Sequence, residues 1–327
     1  MNRSQSAFEK GHGGRWEAFA QSLGSLRRGS PEEREQTAQD WPRHYRQLTH
    51  DLALAKSRAY SPELVDRLNL LALRGHQRLY GARGNLLVDI IEFIGGGFPA
   101  LVRRESLVVW IAAGLLFIPM LGLIALLQYF PEFVHYFVGP DELRNFESMY
   151  APGNRVLGPR HNADSQLMMF GFYIWHNVTI DFQCFAGGIF FGVGSVFYLL
   201  YNGLQLGAVS GYLTNQGYIQ TFWGFVAGHS SWELLGAAIS GAAGLKLGWA
   251  LIAPGQMSRL FAMKQAAKVA VRLLYGAAGM TFCAAFVEAF WSSMSATPFQ
   301  LKIGFGLTFW ALFLAYFLFA GRRQHAD

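Results

Sequence analysis

Uninterrupted apolar runs start late in this chain. Up to Arg104, apolar residues are interleaved with charged ones, and Leu64, Leu68, Leu71 and Leu79 recur at roughly helical spacing, which predicts one buried helical face. Ser30-Pro31-Glu32-Glu33 and Ser61-Pro62-Glu63 each combine an N-cap residue, proline at the first helical position and an acid in the first turn. That combination predicts two helix starts. Helices this short are marginal in water unless they pack, so residues 1–104 are expected to form a small helical bundle. Gly95-Gly96-Gly97-Phe98-Pro99 breaks the pattern, and Arg103-Arg104 then precede the first long apolar run.

From Leu107 the pattern changes. Residues 106–128 form one apolar run interrupted only by Pro119. About 20 apolar residues cross a hydrocarbon core of ~30 Å, and the proline predicts a kink. Residues 129–165 are a polar connection of net charge −2, with Arg144, Arg155 and Arg160 against Glu132, Asp141, Glu142, Glu147 and Asp164. The aromatic-rich part from Phe130 to Tyr150 reads as an interfacial amphipathic helix. The apolar stretch 166–228 is too long for one crossing. Asn202-Gly203 divides it into spans near 182–202 and 205–228, and Thr214-Asn215-Gln216-Gly217 marks the second as broken or re-entrant. Further spans are predicted at 230–252, 270–292 and 300–320. The expected fold is all-α: a polytopic membrane protein with about six transmembrane helices over 105–321, a cytosolic helical domain over 1–104 and a cytosolic tail at 322–327.

Charge supports that division. Only 15% of the 327 residues are charged, against about a quarter in soluble domains. Residues 1–104 hold 16 of the 27 Lys+Arg and 11 of the 21 Asp+Glu. Basic groups near the span ends fall in three clusters: Arg103-Arg104, the segment with Arg259, Lys264, Lys268 and Arg272, and Arg322-Arg323. Six crossings place all three on the cytoplasmic side of a bacterial inner membrane, with both termini cytoplasmic and 129–165 outside. The net charge of +6 does not imply nucleic acid, because it carries no basic run with interleaved aromatics. A lipid bilayer is the partner this composition calls for. The two cysteines, Cys184 and Cys283, both lie in apolar segments, which argues against a disulfide framework.

Soluble catalytic signatures are missing: there is no Walker A loop, Gly-x-Ser-x-Gly elbow or His-Glu-x-x-His helix. The chain therefore reads as non-enzymatic, with no catalytic residue. Its small residues have a packing pattern instead. Gly236, Ser240, Gly244 and Gly248 fall every four residues, and Gly188 and Gly192 repeat that spacing, as in small-xxx-small seams between membrane helices. The candidate site consists of the polar groups inside or beside the apolar runs: Asn177, Asp181, Asn202, His229, Glu233 and Glu288. His229 and Glu233 are one helical turn apart, and Glu288 lies deep in a span. Acids there face the bundle interior or water, with partners. His229, Glu233 and Glu288 include metal-ligating types, but sequence spacing sets no geometry for them, so no metal or cofactor is assigned. Such a cluster serves either a packed framework or the pathway of a transporter, channel or lipid translocase.

The motifs carry a resemblance. Asn177, Gly188-x-x-x-Gly192, Asn202-Gly203-Leu-Gln-Leu-Gly207, Gly228-His229-Ser-Ser-Trp-Glu233-Leu and Val287-Glu288-Ala-Phe290 occur in an order that resembles the stage II sporulation protein M family, the DUF95 group. The head, through Leu79-Tyr80 and Phe98-Pro99-x-x-Val-Arg, resembles its longer, non-sporulating bacterial members. The resemblance implies a scaffold-like component of a cell-envelope membrane complex, with a MoxR-type ATPase or a von Willebrand A domain protein as partner. Self-association through the small-residue seams would make a homo-oligomer.

Overall fold

The computed structural model of the protein describes residues 3–28, 31–80, 86–159 and 166–322. Ser30, Arg160, Asp164 and Arg323 lie outside the described residues, as do the side chains of Glu32, Glu33 and Leu79. The described residues form helices, with one isolated bridge between Val156 and Met294. The chain divides into two compact units, Met1–Asp89 and Ile90–Asp327.

The first unit contains α1 (Arg3–Arg28), α2 (Pro31–Ser57) and α3 (Pro62–Tyr80), so both proline-marked helix starts are found. Its core is Phe8, Trp16, Phe19, Trp41, Leu48, Leu64, Leu68 and Leu71. Asp51 is buried there, accepting from the Trp16 indole at 2.9 Å with His12 Nδ1 also at 2.9 Å. The Gln5 side chain accepts the Ser61 N–H at 3.0 Å, tying α1 to the start of α3.

The unit ends earlier than residue 104. After α4 (Leu86–Glu92), a π turn at Phe93–Gly97 and α5 (Phe98–Arg104) belong to the second unit. Phe98, Leu101 and Val102 bury against Ile239, Ala243, Leu273 and Phe313. The glycine run is a turn that folds this segment onto the bundle, not a linker.

The second unit continues with α6 (Ser106–Tyr129), a 3-10 turn (Pro131–Tyr136), α7 (Pro140–Tyr150), α8 (Gln166–Ala186), α9 (Val193–Asn215), a π turn (Ile219–Trp223) and α10 (Gly224–Val226). It closes with α11 (Ser230–Ile252), α12 (Arg259–Val287), a π turn (Glu288–Ser292) and α13 (Phe299–Phe319). Four segments among the described residues are long and apolar enough to cross a membrane by length and composition: Ser106–Tyr129, Ser230–Ile252, Arg259–Ser292 and Phe299–Phe319. α8 and α9 have 21 and 23 residues.

The two middle spans differ from expectation. The helices are α8 at 166–186 and α9 at 193–215; the expected span 205–228 runs past the end of α9, and the expected span 182–202 contains the break itself, at 187–192. Phe191 and Gly192 have φ of +54° and +83° there, a left-handed excursion that ends one helix and starts the next. Asn202-Gly203 lies inside α9. Gly203 is bare because its Cα side meets the Leu116 carbonyl on α6; Gly207 meets Met120 and Gly211 meets Ile124 and Leu127 in the same way. Rising numbers pair with rising numbers, so α6 and α9 run parallel along a four-residue seam. The irregular stretch is 216–229, and α6 runs unbroken through Pro119.

α11 is the centre, and every residue from Gly236 to Gly244 is buried. A Cβ on Gly188 would lie 2.5 Å from the Gly244 carbonyl carbon, one on Gly244 2.5 Å from Cys184 O, and one on Gly248 would collide with the Gly192 backbone. The expected packing glycines thus meet each other, but Gly188 and Gly192 do so from a turn and not from a helical stripe. Gly236 faces Thr281 on α12.

Arg103, Lys246 and Arg272 lie at one end of the bundle. Arg103 donates to Phe317 O at 2.8 Å, Lys246 pairs with Glu105 at 2.6 Å, and Arg272 sits 5.8 Å above the Phe93 ring. Lys246, near the end of α11, is therefore held by a carboxylate. At the other end, Leu157 N donates to Ser293 O at 3.0 Å, Ser295 to Arg155 O at 2.7 Å and Tyr212 to Glu147 at 2.6 Å.

Single cysteines at the exposed Asp141 and Gln256, in a Cys184→Ala/Cys283→Ser background, are expected to react with a membrane-impermeant maleimide from opposite faces of oriented vesicles. Labelling of both from one face overturns this placement. Gly244→Val is expected to lower stability by about 1–3 kcal/mol through overpacking, read as thermal unfolding in detergent, while Gly279→Ala, with no atom within 4 Å, changes little.

Candidate functional site

His229 occupies the N-cap position of α11, and its carbonyl accepts from Trp232 N and Glu233 N. The helical register then puts Glu233 one turn on, with Glu233 Oε2 3.9 Å from His229 Nε2. Facing them, α12 widens into its π turn at Glu288. Such local changes of pitch re-aim side chains and recur at functional sites. One ligand-type atom from each of His229, Glu233 and Glu288 lies within 4.8 Å of the other two.

The surrounding groups fix these three. Asn177, inside α8, donates its amide to Glu288 Oε2 at 3.4 Å. His229 Nδ1 lies 3.1 Å from Ser292 Oγ, and the Phe225 ring meets the imidazole edge at 5.2 Å. Ser292 also uses its carbonyl, which accepts from the buried Lys302 Nζ at 2.7 Å. The neighbouring Tyr150, on α7, has its phenol pushed well above the ordinary value, by burial first and then by Glu288 and Glu233, so it stays neutral. His229 Nε2 and the Glu233 carboxylate make no hydrogen bond among the described residues. No Lys or Arg among them pairs with Asp181, Glu233 or Glu288.

Of the six polar residues named from sequence, the fold joins Asn177, His229, Glu233 and Glu288. Asp181 sits further along the same seam, bonded to Thr281 across the bare face of Gly236. Asn202 is elsewhere: its amide returns to Tyr198 O within α9 at 2.7 Å. Sequence placed it in the cluster because it seemed to end a span, and the α6–α9 seam removes that premise. Asn177 and Asp181 lie inside α8 and not ahead of a span. Sequence reasoning passed over Lys302. A lysine at the fourth position of an apolar helix is the signal that could have found it.

The sequence model of the stage II sporulation protein M family matches residues 106–293, more than half of the chain and all four clustered residues. The chain belongs to the stage II sporulation protein M family. A second model, for a domain of unknown function (DUF8413), matches residues 6–81. No curated protein and no solved structure matches the chain. Family membership and the apolar helices together indicate a membrane protein. In this member the family match ends at Ser293, just past the π turn that carries Glu288.

Asn177→Ala removes the amide donor to Glu288 and is expected to cost about 1–3 kcal/mol, the penalty of an unsatisfied buried acceptor. Asn202→Ala, which loses a bond within one helix, is expected to cost less. Thermal unfolding of the two variants in the same detergent compares them.

Proposed function

We propose that the protein is a non-enzymatic component of a bacterial cell-envelope membrane complex. The second unit would supply a rigid intramembrane framework, and residues 1–89 a module for recruiting a cytosolic partner. One observation carries this reading: no charged group continues the seam. Beyond Asp181 and Thr281, α11 buries Ala238, Ile239, Ala242, Ala243, Gly244, Leu247 and Gly248, glycine backbone lies on glycine backbone, and the polar groups there are the small hydroxyls of Ser240 and Ser195, the latter donating to Cys184 O at 2.6 Å. A framework needs such closure, whereas a conduit needs polar or hydrated groups from end to end.

Six crossings by α6, α8, α9, α11, α12 and α13 fit the placement of Arg103, Lys246 and Arg272 at one end. The bond from Arg103 to Phe317 O brings the start of the first and the end of the last together, as an even number of crossings requires. By the positive-inside tendency that end is cytoplasmic, which puts both termini on the inner face. The partner implied by the family resemblance is a MoxR-type ATPase or a von Willebrand A domain protein. The small-residue faces are already occupied within one chain, so they do not support a homo-oligomer.

The second reading, a transporter or lipid translocase, is favoured by one observation. The Glu233 side chain is 25% exposed and has no hydrogen-bonding partner among the described residues. Purified protein in liposomes separates the two. No proton or ion flux and no lipid scrambling above protein-free vesicles is expected. Flux or scrambling that Glu233→Gln abolishes overturns the framework reading. In native membranes the full chain is expected to migrate in an assembly larger than its own mass on native gels, and migration as a lone chain counts against it.

A further inference from the structure

Two carboxylates and an imidazole meet at one largely buried spot, and among the described residues no Lys or Arg pairs with the acids. His229 and Glu288 are both more than nine-tenths buried. One ligand-type atom from each of His229, Glu233 and Glu288 lies within 4.8 Å of the other two, and His229 Nε2 is 3.9 Å from Glu233 Oε2. Two adjacent acids in such surroundings repel each other and lose hydration; a shared proton or a cation relieves this, and the imidazole beside them supplies the third donor that suits a metal ion. Lys302 does not supply it, because its ammonium is turned to the Ser292 carbonyl. We propose that His229, Glu233 and Glu288 bind one divalent transition-metal ion.

The chemistry of the donors selects the class. One imidazole nitrogen and two carboxylates, without thiolate, suit Zn2+, Mn2+ or Fe2+, whereas Ca2+ and Mg2+ prefer all-oxygen shells. Two carboxylates balance the ion's charge, which leaves a neutral centre in a low-dielectric interior. Tetrahedral ligands about 2.1 Å from a metal stand roughly 3.4 Å apart. The 3.9 Å between His229 Nε2 and Glu233 Oε2 is close to that, and Glu288 offers an oxygen within the same 4.8 Å cluster.

The supporting groups are arranged as a metal site needs. A ligating histidine is oriented through its other ring nitrogen, and here Ser292 Oγ lies 3.1 Å from Nδ1, leaving Nε2 free towards the acids. A ligating carboxylate is itself hydrogen-bonded, and Asn177 does this for Glu288. Ser292 is in turn fixed by Lys302, so the ligand-bearing π turn, α11 and α13 are tied at one place. Three protein ligands leave at least one position for water. The centre would brace the α11–α12 junction, and it requires neither the framework nor the transport reading to hold.

The test is the metal content of tag-free, full-length protein in detergent after loading with Zn2+ or Mn2+ and removal of excess. About one ion per chain is expected. Bound Co2+ should give the visible d–d bands of a four- or five-coordinate site with nitrogen and oxygen donors. Glu233→Gln and Glu288→Gln are expected to weaken binding at least tenfold, and Ser292→Ala by about ten- to hundredfold. Asn202→Ala should keep full occupancy. If His229→Ala fails to fold, Glu233→Gln, whose acid is partly exposed and bonded to nothing else described, decides the matter. Substoichiometric metal in the wild type under every loading, or undiminished metal in both glutamine variants, overturns the proposal. Metal content is read independently of liposome flux and of assembly size, so failure here is distinct from failure of the framework reading.

Discussion

The bundle depends on backbone touching backbone at the centre of α11. Gly188 lies against Gly244, and Gly192 against Gly248, at separations no side chain can occupy. In a bilayer, lipid tails are as apolar as leucine, so helices associate through close packing and not through escape from water. The missing side chains allow that approach. The left-handed turn at Phe191-Gly192 is held where α8 and α9 can both reach α11. Without this contact the α8–α9 turn would have nothing to seat against, and Asp181 would lose its position beside Gly236.

The polar cluster follows from the same constraint. α8 is drawn against α11 and α12, which brings Asn177 to Glu288 and Asp181 to Thr281. The π turn at Glu288–Ser292 then adds a second adjustment, giving Ser292 simultaneous access to His229 and Lys302. Groups from α8, α11, α12 and α13 therefore meet at one end of the bundle, while the rest of α11 stays closed by small residues.

Much of this was legible in the chain. Long apolar runs gave the helical membrane character, the ordered motifs gave the family, and the three basic clusters anticipated one basic end. His229 and Glu233 were paired by helical spacing, and Glu288 stood out as an acid in an apolar run. The α8–α9 boundary was not legible. Asn202-Gly203 looks like a break, yet Gly203, Gly207 and Gly211 are a contact surface for α6. A glycine that ends a helix and one that admits a neighbour are the same letter, and only the tertiary partner distinguishes them. Lys302 was passed over because its acceptor, Ser292 O, is a backbone atom.

The parallel pairing of α6 and α9 has a consequence for biogenesis. Antiparallel neighbours can close as a hairpin while the chain is still being made, but parallel ones need a complete return crossing between them. α6 therefore leaves the insertion machinery with its docking face bare, and α7 and α8 must be synthesised before that face meets Gly203, Gly207 and Gly211. During that interval the most apolar helix of the protein meets the surrounding lipid with the face that later meets those glycines.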